Sequence, residues 1–99
     1  MSGSGARAGV APWPQVQGCR TLFQMHEALV ALRPSDGADA QRWLTYHRRS
    51  AAAYERIADI DRGHHHEALY WAQRERTNAA KIASAISRKP DGSDAINPE

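Results

Sequence analysis

The eighteen residues Asp59–Arg76, "DIDRGHHHEALYWAQRER", decide how this chain folds. Before Arg62-Gly63, Ala51, Tyr54, Ile57 and Ala58 recur at three- and four-residue intervals, and after it Ala68, Leu69 and Ala72 do the same. That is helical spacing on both sides of a glycine-containing break. Two helices joined by so short a connection run antiparallel and pack on each other. The stretch therefore predicts a helical hairpin, with Asp61 capping the helix that follows and Gly63 making the turn.

Working outward, the helix before the break is predicted over about 39–60, with Ala40, Trp43, Leu44, His47, Ala51, Tyr54, Ile57 and Ala58 on one stripe and Arg48, Arg49, Glu55, Arg56 and Asp59 off it. The helix after it is predicted over about 65–87, where Ala68, Leu69, Ala72, Ala79, Ile82, Ala83 and Ile86 line up. Alanines on both facing stripes let the two backbones approach closely. Further upstream, Thr21 and Gln24 have capping-box spacing, and Leu22, Met25, Leu29 and Leu32 repeat helically until Pro34. They predict a first helix over about 22–33. In "PSDGAD", Asp36 or Asp39 is available to accept the free amides of the next helix.

The fold expected is all-α: an antiparallel hairpin with a short first helix packed across it, forming one domain over residues 21–88. Residues 1–20 are rich in Gly, Ser, Ala and Pro without an apolar period, and are expected to be a flexible arm. Within them Trp13, between Pro12 and Pro14, is held near polyproline II and presents one large aromatic. Residues 89–99, acidic and turn-rich, are expected to be a disordered tail.

Ninety-nine residues allow one domain, and its folded part is small enough for a partner or a second copy to help bury apolar surface. A formal net charge of +2 implies no broad field for nucleic acid or anionic membrane. Cys19 is the single cysteine, so no internal disulfide can form, and a reducing compartment is expected. There is no apolar run of membrane-spanning or signal-peptide length, which makes the cytoplasm the expected location and a membrane an unexpected partner.

Two resemblances bear on the hairpin. "AAAYERIADIDRGHHHEALYWAQRERTNAAKIA" resembles a single tetratricopeptide-type helix pair, although its turn lacks the Leu-Gly step and the chain holds no second repeat, so groove binding does not carry over. Over about residues 22–87, "HEALVALRP", an acidic turn and "WLTYHRRSAAAYERIADIDRGHHHEALYWAQRER" are similar to a group of short, functionally uncharacterised actinobacterial proteins. That resemblance implies an all-helical cytoplasmic chain and no activity, cofactor or catalytic residue.

The histidine run is the chemistry-bearing feature. Adjacent helical residues point about 100° apart, so His64, His65 and His66 cannot all converge. His64 and Glu67, at i,i+3, share a face, and Asp59 or Asp61 across the turn could complete an N/O set of the kind that holds zinc, iron or manganese, with Asp61–His64–Glu67 the one credible combination. His47 points inward but lies roughly 16 to 20 Å along its helix from the turn, too far to join them. The competing reading is structural, with one histidine packed and the others solvated, and a pH-responsive turn is a further alternative. No nucleophile with a neighbouring base, phosphate loop or carboxylate pair stands out, so no enzyme and no cofactor are expected.

Two surface readings remain. Arg48, Arg49, Arg74, Arg76 and Lys81, near Tyr70 and Trp71, form a basic and aromatic constellation that a nucleic-acid-associated regulator would use. The leading expectation is a non-enzymatic interaction module: the aromatics exceed what the short helices can bury, with Tyr46, Tyr70 and Trp71 at stripe edges and Trp13 in the arm as partner-binding candidates for a second copy or another protein.

Overall fold

A computed structural model describes residues 13–88. The expected disordered tail and the first twelve residues of the expected arm lie outside the described residues. Among the described residues four α-helices follow one another: α1 (Pro14–Gln17), α2 (Leu22–Ala31), α3 (Ala40–Ile60) and α4 (His65–Arg88), with a 3-10 turn at Arg62–His64. No strand occurs among the described residues. α3 and α4 form the antiparallel hairpin, and α2 packs across it.

The helix starts follow local chemistry. Thr21 accepts from the Gln24 amide, 3.1 Å away, and Asp39 accepts from the Arg42 amide at 3.0 Å, each satisfying a donor left free in a first turn. Gln24 reaches back to the amide of Arg20 at 2.7 Å, one residue further than a standard capping box. At the hairpin turn, Gly63 has no left-handed backbone and a Cβ would meet nothing within 4 Å, so glycine is not what bends the chain there. A 3-10 turn does so, with the His64 amide donating to Asp61 O at 2.9 Å.

Three further expectations are corrected. Residues 13–20 are not part of a free arm: Pro14 sits in the first turn of α1, and Val16 and Cys19, three apart on one face, are 2% and 7% exposed within the main core. Arg56 of α3 holds this segment by donating to Val16 O and Gln17 O at 3.4 and 3.2 Å. The core face of α3 is also wider than the expected stripe, taking in Tyr46, Ser50 and Ala53. α3 has α4 on one side and α2 on another, so residues some 100° off the hairpin seam are covered as well. On α4 the opposite holds, because Leu69 and Ile86 of its expected stripe stay open to solvent.

Candidate functional site

The closed end of the hairpin gathers most of the side chains that carry chemistry. Asp61 does not cap the helix that follows it. Its Oδ2 instead accepts from the amide of Leu22, 39 residues earlier, at 2.8 Å, and from His64 Nδ1 at 3.0 Å. One carboxylate thus caps α2 from the hairpin turn and ties the crossing helix to it. The Leu22 amide, followed by the bond and charge of His64, lowers the Asp61 carboxyl below the usual aspartate range.

His65 Nδ1 donates to Ala58 O at 2.9 Å, linking the first turn of α4 to the last turn of α3, and is half-buried, while His64 and His66 are exposed. Asp61, His64 and Glu67 line one open cleft of about 430 Å³ with Thr21, Leu22, Phe23 and His26. Among the described residues no three His, Cys, Asp or Glu side chains are grouped to hold a metal ion. Both hydrogen bonds to Asp61 Oδ2 are internal, so the expected Asp61–His64–Glu67 ligand set is not assembled.

Beside the cleft, α2 and α4 form an aromatic shelf. His26 packs edge-on against Trp71 with centroids 5.0 Å apart, and Trp71 meets Tyr70 at 5.4 Å. Beneath them the Tyr54 hydroxyl and His26 Nδ1 share a hydrogen bond of 2.7 Å, and the Tyr54 ring stacks near Trp71 at 6.2 Å. Burial, with the Glu75 carboxylate adding to it, raises the Tyr54 hydroxyl above the tyrosine range and keeps it protonated. On the outside, Phe23 is 69% exposed and Tyr70 56%, and Val30, two turns beyond Phe23 on α2, is 67% exposed.

The expected partner-binding residues therefore separate. Tyr70 lies on the surface and Trp71 is half-buried at its base. Tyr46 is buried, contrary to expectation, because its hydroxyl donates to Leu29 O at 2.8 Å and its ring packs against Trp13 and Trp43. Burial raises its hydroxyl too. Trp13 is half-buried over the core at the other end of α3. Phe23, Val30 and His26 were missing from the sequence reading; the available signal was that Phe23 and Val30, seven apart, lie off the Leu22–Met25–Leu29 face.

The basic residues do not share one surface. Arg76 pairs with Glu55 across the hairpin, Arg74 lies over Trp71 at 5.4 Å, and Arg49 lies over Trp13 at 5.3 Å. On α4, Arg74 and Lys81 share a face that Arg76 does not. Glu75 is half-buried, 2.5 Å from His47 Nδ1. Cys19 is buried with its sulfur 3.8 Å from Gln15 O, and burial raises its thiol, with Arg56 opposing, which disfavours a reactive thiolate. No helix among the described residues is long and apolar enough to cross a membrane. Comparison with known proteins gave no match to a family model, a curated protein or a solved structure.

Proposed function

We propose that the protein is a small, non-enzymatic, cytoplasmic docking module that associates with a second copy of itself or with a partner protein through the shelf of Phe23, His26, Tyr70 and Trp71. The observation that carries this reading is the exposure of Phe23 on α2 and Tyr70 on α4, close in chain to the His26–Trp71 contact that joins the two helices. Large aromatics left on the surface of a small domain, backed by side chains that cannot move away, are the usual anchors of an interface. Trp71 supplies that backing, since it is held by Tyr54, His26 and Arg74 together.

The test is sedimentation equilibrium over a range of concentrations, compared with Phe23→Ala and Tyr70→Ala. Self-association gives a mass above 11.0 kDa that rises with concentration and falls in both variants. If wild type stays monomeric, immobilised wild type and the two variants are compared for retained proteins. A partner held equally by all three, or none held by wild type, overturns the reading.

A further inference from the structure

A second cleft opens at the far end of α3 from the histidine turn. It has a volume of about 380 Å³ and lies between the 32–39 connection, Trp13 and the first turns of α3. Leu32, Pro34 and Trp13 give it an apolar side, and Arg42, Thr45 and Arg49 give it a polar one. The last three recur at i, i+3 and i+7, so one face of α3 presents them together. Among the described residues, Arg62 and Arg76 each have a carboxylate partner, but Arg42 and Arg49 have none. Asp39, the acid at this cleft, uses Oδ1 to cap the Arg42 amide.

This arrangement has a local cost. Arg42 stands in the first turn of α3, where the helix dipole disfavours a cation, and no acidic side chain occupies that turn. Arg49 is half-buried against Trp13, and its Nε is sealed from solvent with no acceptor. The two guanidinium groups share the cleft with one carboxylate, that of Asp39, which already caps the helix, so the cleft carries more positive charge than that carboxylate balances. A phosphate offers three terminal oxygens and nearly two negative charges, enough for two guanidinium groups and a hydroxyl, whereas a carboxylate matches one guanidinium group.

We propose that this cleft binds a phosphate group, with Arg42 and Arg49 as its charge partners, Thr45 as a hydroxyl donor, and Leu32 and Pro34 against whatever carries the phosphate. The site goes beyond the docking role and does not depend on it, since neither Arg42 nor Arg49 belongs to the aromatic shelf.

The experiment is an amide NMR titration of the full chain at constant ionic strength, with inorganic phosphate, phenyl phosphate, acetate and chloride as separate probes. The expected result is saturable shifts confined to residues 39–49 and the Trp13 indole with the two phosphates. Arg42→Gln and Arg49→Gln should each weaken binding roughly tenfold or more, as loss of a charged hydrogen bond does. Arg74→Gln should leave binding unchanged, and melting curves establish that each variant is folded. Tighter binding of phenyl phosphate than of inorganic phosphate assigns the site to a phosphate on an organic body, and equal binding assigns it to free phosphate. Acetate or chloride acting as strongly as phosphate, shifts spread over all the arginines, or unchanged binding in both cleft variants would overturn the proposal.

Discussion

α3 and α4 are similar in length and equally rich in alanine, yet α3 buries eight of its 21 residues and α4 only three of 24, all alanines. Surroundings, not composition, separate them. α3 has α4 on one side and α1 and α2 on others, so Tyr46, Tyr54 and Ile57 are enclosed. α4 packs mainly on α3, and its larger side chains remain wholly or partly open. Stability should therefore reside in α3, and the capacity to bind in α4 and the outer face of α2.

The strongest way to break this contrast is a pair of truncations. Ile57 is 0% exposed and belongs to the core cluster that joins α3 to residues of α2 and α4, so Ile57→Ala should cost about 2 to 5 kcal/mol. Leu69, at 40% exposure on α4, should cost under about 1 kcal/mol in Leu69→Ala. Urea unfolding measures both, and equal losses would mean that α4 is anchored as firmly as α3.

A smaller effect concerns the bond between α3 and α2. Tyr54→Phe removes the hydroxyl hydrogen-bonded to His26 and should cost about 1 kcal/mol. It should also alter alkaline behaviour. The folded-state pKa values of Tyr54 and Tyr46 are raised, while an unfolded tyrosine titrates near pH 10. Their contribution is complete below about pH 10 and is lost as pH climbs above it, because only the unfolded state then releases the protons. Melting temperatures between pH 8 and 11 should fall at the top of that range, and less steeply in Tyr54→Phe.

The hairpin was legible because its evidence is local: the 3.6-residue period, Thr21 and Asp39 at helix starts, and a break near residue 62 all act within a few residues of one another. What was not legible depends on elements distant in sequence. Val16 and Cys19 form too short a pattern to show a period, and it takes their burial in the core and the Arg56 contact with Val16 O and Gln17 O to reveal that they belong to the domain. Asp61 reads as a local cap, since its bond to the Leu22 amide requires knowing where α2 crosses. Tyr46 reads as an edge residue until α2 covers it, and Phe23 becomes conspicuous only once the opposite face of α2 is seen to be the packed one.

Asp61 gives the next test, because it joins the two regions being compared. Its carboxyl is lowered in the folded state against about 3.9 when unfolded. The stabilisation is present above about pH 4 and is lost as pH falls through the lower folded value. Asp61→Asn keeps the shape but accepts less strongly from the Leu22 amide and His64, so its melting temperature should fall less between pH 5 and 3 than that of wild type. A side-chain carboxyl titration by NMR that places Asp61 at an ordinary aspartate value would remove this clasp from the account.

The smallest stability effect is the most informative about binding. Tyr70 is 56% exposed, and its ring stands nearly perpendicular to that of Trp71 at a centroid separation of 5.4 Å. Tyr70→Ala should therefore lie within about 0.5 kcal/mol of wild type in urea unfolding. If Tyr70 is an anchor, the same variant should shift an association midpoint by tenfold or more, since truncating an interface aromatic commonly costs over about 1.4 kcal/mol. A loss of stability without a loss of association would place Tyr70 with the enclosed residues of α3 and erase the distinction between the helices. Unchanged stability with weakened association is the outcome that a half-covered α4 requires: its aromatic surface adds little to the fold because it faces outward, and it remains available to something else for the same reason.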